Sequence, residues 1–485
     1  MTKRNMPATL PPVWISALPV IALLGVLITI IATKGADSVQ TYSCHTLLGA
    51  ATLCVVLAWI SGHMRLRMLA AGLKKSARQI LPAVPILVLI GTLSSTWMLS
   101  GVVPALIDYG LEILNPKAFL VLACAVCAVV SVVTGTSWTT IATIGVAFMG
   151  IGTVMGYDPA WVAGAVISGA YFGDKVSPLS DTTVLAASST GVELFAHIRF
   201  LMITTIPAMT IALLVYGGIG LTTDTLSHSQ SAEMEEALRA GFNLTPWVLV
   251  IPALTGIMIA LRLRTDLTLA LSSLTGLAGI FIFQPAIVES LGGGSLWANV
   301  MLAVNVLATE TSVSTGNALL DSLVGTGGVQ GMLPTVWLVL SAMVFGGVML
   351  GTGMLQSLTG SFTRKLHNPR RLVGATVASG LFLNSCTGDQ YLSIIIGSNM
   401  YKSSYKRYGV RPQTLSRSLE DSVSVTSVLI PWNSCGVTQS TVLGVATLAY
   451  LPCCIFNLMS PVMTLIVAWA GWKVKVAPRP VAPAA

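Results

Sequence analysis

Residues 118–157 read AFLVLACAVCAVVSVVTGTSWTTIATIGVAFMGIGTVMGY, and none of these 40 residues is Asp, Glu, Lys or Arg. A membrane-spanning helix needs about 20 predominantly apolar residues, so this run is long enough for two helices. A second run without charges covers 422–472, which is 51 residues. Only 9% of the 485 residues are charged, against about 25% in soluble globular proteins. The sequence therefore predicts an all-α polytopic membrane protein with about 10–12 transmembrane helices.

The formal net charge of +8 is explained by basic residues that lie between the apolar runs. Five of them follow the second predicted span: Arg65, Arg67, Lys74, Lys75 and Arg78. Three more lie in the tail 473–485, whereas the segment 222–243 carries four acidic residues. Because basic loops remain in the cytoplasm, we expect a multi-pass protein of the cell inner membrane with both termini cytoplasmic. The same rule accounts for the positive charge without a nucleic acid partner, so the partner we expect is the lipid bilayer.

Helix-breaking residues recur along the chain at one constant offset. Asn-Pro at 115–116 recurs at 368–369, Thr-Gly at 134–135 recurs at 387–388, and Gly-Val at 191–192 recurs at 444–445. Pro178 likewise recurs as Pro431, and all four offsets are 253 residues. A repeat of this size in a membrane protein predicts the two halves of a transporter. We assign N-terminal helices to 1–79, repeat units to 80–221 and 334–472, a connecting segment to 222–333 and a cytoplasmic tail to 473–485.

The charges that flank each unit predict its orientation. The apolar run 372–401 has basic residues at both ends, so it should enter and leave on the cytoplasmic side as a re-entrant hairpin. The run 118–157 lacks such flanks and should enter from the outside. The broken helices 158–191 and 414–445 follow these two hairpins. The sequence therefore predicts two inverted-topology repeats, each with a hairpin and a broken helix.

The four breaks are rich in small oxygen-bearing side chains. Interrupted membrane helices expose carbonyl and amide groups that lipid cannot satisfy, so such backbone persists where it is buried or lines a cavity. Carbonyl and hydroxyl oxygens bind Na+, and transporters use broken helices in this way; packing between helices is the structural alternative for each Ser or Thr. The candidate cation ligands are Thr136, Ser137, Ser180, Asp181, Thr182, Asn384, Asp389, Asn433 and Ser434. Of these, Asp181, Thr136 and Asn433 are the predicted Na+ ligands.

Carboxylates within the apolar segments are the second set of candidates, because an intramembrane charge is costly and indicates function. We predict Asp174, Asp389 and Glu310 as proton carriers, since a carboxylate that binds either Na+ or a proton is a simple exchange device. Two alternatives for Asp174 are a solvated loop position and an ion pair with Lys175. Glu420 and Asp421 follow a basic loop, and we interpret them as interfacial charges.

Two motifs support a family resemblance. The string 173–183, Gly-Asp-Lys-Val-Ser-Pro-Leu-Ser-Asp-Thr-Thr, resembles the signature of the NhaC-type Na+/H+ antiporters, as does Thr-Gly-Thr-Ser-Trp-Thr at 134–139. The resemblance extends from about 80 to 470 and implies inverted repeats whose hairpins and broken helices meet at the midplane. It implies that Asp181 lies in the site with Ser180 and Thr182, and with Asp174 beside them. It also implies sodium–proton exchange, or exchange of organic acids such as malate and lactate, and a homodimer is an expectation from this fold.

Two functional hypotheses therefore remain open: a Na+/H+ antiporter, and a Na+- or H+-coupled exchanger of small carboxylates. The sequence contains no His-Glu-x-x-His, Walker or Gly-x-Ser-x-Gly motif, so we do not expect an enzyme. We expect no cofactor besides Na+ as a transported or coupling ion. Cys124 and Cys127 form a C-x-x-C pair within an apolar run, where cysteine behaves as a small hydrophobic residue.

Overall fold

The chain folds almost entirely into helices. The computed structural model describes residues 10–35, 38–223, 236–313, 325–363 and 368–471, and within these ranges the sole β contact is a bridge between Thr311 and Thr326. Eight of the described helices are long and apolar enough to cross a membrane, or nine if the bent pair Thr447–Cys453 and Ile455–Ala470 counts as one span. These helices confirm the prediction of an all-α polytopic membrane protein. Helices suit a membrane because they satisfy every backbone hydrogen-bonding group without water.

Up to residue 223, the described residues form ten α-helices. They are α1 (Val13–Lys34), α2 (Ser38–Ile60), α3 (Leu66–Ile80), α4 (Ala83–Leu99), α5 (Val102–Ile113), α6 (Phe119–Thr134), α7 (Ser137–Val154), α8 (Pro159–Val176), α9 (Asp181–Thr190) and α10 (Leu194–Thr222). The basic segment after the second span, predicted to be a loop, is the helix α3. Its charged and apolar residues separate onto two faces, and Gly72 on its inner face meets the backbone at Gly347 and Gly351.

Twelve further helices follow. They are α11 (Val250–Ala260), α12 (Thr265–Phe283), α13 (Pro285–Ser290), α14 (Leu296–Ala308), α15 (Gly328–Gly351), α16 (Met354–Thr363), α17 (Pro369–Thr387), α18 (Gln390–Arg407), α19 (Pro412–Leu419), α20 (Ser434–Leu443), α21 (Thr447–Tyr450) and α22 (Ile455–Ala470). The 13 residues of α14 span about 20 Å at 1.5 Å per residue, which is less than the ~30 Å hydrocarbon core. The tail 473–485 lies outside the described residues.

The turns between α6 and α7 and between α17 and α18, where the sequence predicts the two hairpin tips, share one local geometry. Gly135 ends α6 with φ 71°, and Gly388 ends α17 with φ 65°; glycine adopts this left-handed conformation at no steric cost. An extended residue then caps the next helix, Thr136 in the first tip and Asp389 in the second. The two tips are 253 residues apart, and their backbones repeat residue for residue. The inverted orientation of the two units in the membrane stays a prediction.

The chain also leaves the helical conformation at two later points. Between α8 and α9, residues 177–180 are non-helical around Pro178, and the Ser180 hydroxyl caps α9. In the second half, α19 continues into a π-helical turn, Glu420–Ser424, and a short 3₁₀ turn before Pro431. The side chain of Asn433 then caps α20. Each break therefore presents a helix N-terminus to the interior of the molecule.

Close backbone packing holds these elements together. In α8, a Cβ added at Gly169 would lie 2.1 Å from the Cys124 carbonyl oxygen of α6, so the two helices meet without side chains between them. Such small-residue contacts are the usual means of packing membrane helices. Each hairpin tip also contacts the break of its own half. Gly135 packs against Leu179, and the Ser434 amide donates a hydrogen bond to the Gly388 carbonyl at 2.8 Å.

A candidate ion-binding cavity

A cavity of about 660 Å³ lies where the two hairpin tips meet the two helix breaks. Its wall contains residues that are far apart in sequence. Several of them are residues that the sequence analysis predicts as site residues from their type and position. Six of the predicted site residues line it: Thr136, Asp174, Asp181, Thr182, Asp389 and Ser434. The fold therefore brings three carboxylates and three hydroxyls from four different segments to one space.

Asp174 connects the first break to the first hairpin tip. This half-buried residue lies in the last turn of α8, and its Oδ2 accepts hydrogen bonds from the Ser137 amide at 3.2 Å and the Ser137 hydroxyl at 2.8 Å. Ser137 is the first residue of α7, where the helix dipole favours a negative charge. The carboxylate thus lies at the cavity wall and is held by the N-terminus of α7.

Asp181 is the first residue of α9, and its side chain is exposed to the cavity. The hydroxyls beside it, those of Ser180 and Thr182, are 3.0 Å apart, and the buried Ser180 hydroxyl accepts from the Thr183 amide at 3.4 Å. Thr182 lines the cavity, whereas Ser180 lies behind it as the helix cap. Asp181 is therefore the carboxylate that an arriving cation can reach most directly.

Asp389 contributes the third carboxylate and is only 3% exposed. Its Oδ1 accepts from the Leu392 amide at 2.8 Å, as expected for the N-cap of α18. Tyr391, two residues further on, lines the same cavity. The three carboxylates therefore share their cavity with one tyrosine side chain.

Two predicted ligands, Asn384 and Asn433, are not among the residues that line the cavity. The Asn384 amide donates to the Val423 carbonyl at 2.7 Å, and the Asn433 amide donates to the Asn384 carbonyl at 3.3 Å. Both side chains are fully buried and connect the second hairpin to the second break. Glu310, a predicted proton carrier, is exposed beyond the end of α14 and does not line the cavity either.

The cavity reaches the protein surface at two turns. Its lining includes Gln79 and Pro82 near the α3–α4 turn, and Arg262 and Arg264 in the α11–α12 turn. Both arginines are exposed, in contrast to the buried Asp389. The cavity therefore runs from a basic surface into an acidic interior.

Sequence reasoning misassigned a group of charges behind this cavity. Lys175 neither pairs with Asp174 nor faces solvent. It forms an ion pair with Asp421, and the side chains of Lys175 and Asp421 are 1% and 0% exposed. Glu420 is also 0% exposed, so the interpretation of Glu420 and Asp421 as interfacial charges is wrong. The signal that should have identified them is their position directly before the 51-residue run without charges.

A cavity lined by carboxylates among membrane-spanning helices is the arrangement of a membrane transport protein. The profile of the Na+/H+ antiporter family matches residues 7–184 and 169–472. The chain therefore belongs to the Na+/H+ antiporter family, and the resemblance seen in its motifs is confirmed.

Individual relatives agree with this assignment. The Na+/H+ antiporter NhaC of Alkalihalophilus pseudofirmus is 39% identical, with 80% of this chain and 81% of that protein covered. The NhaC antiporter of Bacillus subtilis is 32% identical, with 87% and 90% covered. The malate-2H+/Na+-lactate antiporter of Bacillus subtilis is also 32% identical, with 81% of each chain covered.

Proposed function

We propose that the chain is a secondary active transporter that exchanges Na+ for H+ by alternating access. The observation that carries this proposal is the convergence of Asp174, Asp181 and Asp389 on one cavity within the helical core. Na+ binds there to the Asp181 carboxylate and to oxygen atoms of the turn at Thr136. Asn433 stabilises the cavity wall indirectly, through its hydrogen bond to the Asn384 carbonyl. This role is transport alone, without a chemical reaction.

The three carboxylates explain why one cation excludes the other. Like charges in a poorly solvated space repel one another, and a bound Na+, or a proton held in or near the cavity, relieves that repulsion. Once Na+ occupies the cavity, a further positive charge gains less from the same carboxylates. Na+ binding therefore favours proton release, and proton binding favours Na+ release, as exchange requires.

The direction of the opening follows from the basic residues at the surface. The cavity ends near α3, which carries Arg67 and Lys74, and at the turn that holds Arg262 and Arg264. Since basic segments remain in the cytoplasm, the cavity opens to the cytoplasm, with the protein in the inner membrane and both termini inside. The Lys402 ammonium lies near Gly191 at the end of α9, which is consistent with the same side.

Exchange of small carboxylates is the second candidate, favoured by the size of the cavity. About 660 Å³ is much larger than a dehydrated ion and falls in the usual range of small-molecule sites. The exposed guanidinium group of Arg262 would attract an anion at the entrance, whereas that of Arg264 is paired with Asp266. One relative is named for the exchange of malate and lactate.

Proton movement in proteoliposomes tests the two candidates against each other. Vesicles that contain the purified chain are given an acid interior, and Na+, Li+, K+, malate or lactate is added singly while a fluorescent dye reports the pH gradient. Na+/H+ exchange predicts that Na+ alone collapses the gradient. A response that requires malate or lactate would replace this proposal with carboxylate exchange, and no response to any of them would refute both.

A further inference from the structure

Behind the cavity lies a group of buried ionisable side chains that we call the internal charge cluster. Its members come from four helical elements and are each no more than 1% exposed: Lys175, His197, Arg417, Glu420 and Asp421. Buried charges in a membrane protein are costly and mark functional positions. None of these residues lines the cavity, so the cluster is a separate feature.

The carboxylate of Asp421 is fully satisfied. It accepts from the Lys175 ammonium, from the Ser460 hydroxyl at 2.7 Å, from the Thr204 hydroxyl at 2.8 Å and from the Thr464 hydroxyl. Four donors stabilise its ionised form, because hydrogen bonds to a carboxylate favour the charged state. Asp421 therefore acts as a fixed negative charge that holds Lys175.

Glu420, the adjacent residue, has the opposite environment. Both of its carboxyl oxygens are buried and make no hydrogen bond of normal geometry, which is rare for buried polar atoms, although the Ser424 hydroxyl lies close enough to interact with them. Lys175 attracts the Glu420 carboxylate, and Asp174 and Asp421 repel it, yet the Lys175 ammonium is already bonded to Asp421 and Ser460. A carboxylate with so little hydrogen bonding bears most of the cost of leaving water, so the protonated form of Glu420 costs less there than the charged form.

The other two ionisable groups of the cluster, His197 and Arg417, interact electrostatically with Asp421. His197 on α10 makes no hydrogen bond at either ring nitrogen and interacts with Asp421 and Lys175. The Arg417 guanidinium lies 4.8 Å from the Phe200 ring centroid and interacts with Asp421 and with Tyr405 of α18. From α17, Gly380 and Asn384 contact the π turn, and α22 presents hydroxyls to Asp421.

The cluster and the cavity share one helical turn. Asp174 and Lys175 are consecutive residues at the end of α8, and consecutive side chains leave a helix about 100° apart. One faces the cavity and Ser137, whereas the other faces Asp421. A cation bound beside Asp174 therefore changes the electrostatic potential at Glu420, because the two carboxylates interact.

We propose that Glu420 is the internal proton site of the exchange and that it is coupled to Na+ in the cavity through the last turn of α8. This inference rests on the proposed Na+/H+ exchange and adds the residue that holds the proton. When Na+ binds beside Asp174 and Asp181, the Glu420 carboxyl gives up its proton to water in the cavity. The resulting carboxylate interacts electrostatically with the Lys175 ammonium, and Na+ departure allows a proton to return.

Proton release from the purified full-length protein tests this assignment. The protein in detergent and weak buffer is mixed with Na+, a pH indicator records released protons, and radioactive Na+ measures binding in parallel. Glu420→Gln mimics the protonated acid, so it should bind Na+ with the affinity that the wild type has at low pH and release at least tenfold fewer protons per Na+ bound. Its Na+ affinity should also lose the pH dependence of the wild type. Glu289→Gln is the matched control, because Glu289 is an exposed glutamate on α13, and it should behave as the wild type.

The outcomes separate this inference from the proposed function. Wild-type proton release from Glu420→Gln would overturn the assignment to Glu420 and leave Na+/H+ exchange standing. Loss of release in His197→Gln, with release retained in Glu420→Gln, would move the site to His197. If Glu420→Gln does not fold, Glu420→Asp should shift the pH of half-maximal release, and an unchanged pH would overturn the inference. A wild-type protein that binds no Na+ would refute the proposed function itself.

Discussion

Asp174 and Lys175 are neighbours in sequence, but they bind to different parts of the molecule. The Asp174 carboxylate accepts two hydrogen bonds from Ser137 at the first hairpin tip, and the Lys175 ammonium pairs with Asp421 in the second half of the chain. The end of α8 is thus fixed on two sides. Any movement of this turn must change the cavity wall and the buried ion pair together.

Ser137→Ala should weaken the hold on Asp174 without removing it. The amide of residue 137 still donates, but the hydroxyl bond at 2.8 Å is lost, and a hydrogen bond to a charged group contributes about 1.5–3 kcal/mol. We expect a lower unfolding temperature in detergent and a several-fold change in the Na+ concentration for half-maximal exchange. Ser188→Ala, on the exposed face of α9, should change neither, and an equal effect at both positions would contradict this role of Ser137.

Lys175 and Asp421 should be energetically coupled. Lys175→Met or Asp421→Asn leaves one buried group without its partner, which costs about 3–5 kcal/mol. The double variant leaves no buried charge unpaired, so its loss of stability should be smaller than the sum of the two single losses. Thermal unfolding of the four proteins in one detergent measures this coupling. Additive losses would show that the pair does not act as a unit.

Gly135→Ala tests the contact between the first hairpin tip and the first break. A Cβ at position 135 would lie 2.6 Å from the Leu179 Cβ, and the backbone there has φ 71°. Gly444 has φ 67° but open space around it, so Gly444→Ala should cost only the backbone strain of about 1–2 kcal/mol. The extra clash should add roughly 1–3 kcal/mol at Gly135. Equal losses of stability in the two variants would argue against the packed tip.

Thiol labelling tests the side on which the cavity opens. Leu179 lines the cavity and is 40% exposed, whereas all eight native cysteines are buried. A membrane-impermeant maleimide should therefore label Leu179→Cys in inside-out vesicles and not in right-side-out vesicles. Lys117→Cys, exposed at the start of the first hairpin, should show the reverse pattern. Labelling of both variants from the same side would contradict the cytoplasmic opening.

Most of the helical architecture was predictable, because charge-free runs and breaking residues are local signals. The tips at Gly135 and Gly388 were located from two dipeptides, and the cavity contains Asp174, Asp181 and Asp389, which were chosen as carboxylates within apolar surroundings. The basic segment 65–81 was predicted to be a loop, because basic residues are typical of loops between spans. Most of it forms the helix α3. The second repeat unit was predicted to begin at 334, but the helix there, α15, begins at Gly328, because Gly-Gly pairs obscure helix boundaries. The homodimer stays a prediction.

The internal charge cluster was not predictable in the same way. Lys175 and Asp421 are 246 residues apart, and no local pattern shows which side chains will meet across a packed interior. Glu420 and Asp421 follow basic residues in sequence, which is typical of an interface, but the π turn directs both into the core. Similarly, Asn384 and Asn433 have the chemistry of cation ligands, but their side-chain amides donate hydrogen bonds to backbone carbonyls instead.

Uptake of radioactive Na+ into proteoliposomes with an acid interior tests most directly whether the cavity carboxylates bind the transported Na+. Asp181→Asn removes the most accessible carboxylate, and Asp158→Asn is the matched control, since Asn caps a helix as well as Asp does and Asp158 is exposed at the start of α8. We predict rapid uptake in the wild type and in Asp158→Asn, and at least tenfold slower uptake in Asp181→Asn with the folded protein still present. Wild-type uptake by Asp181→Asn would contradict the account.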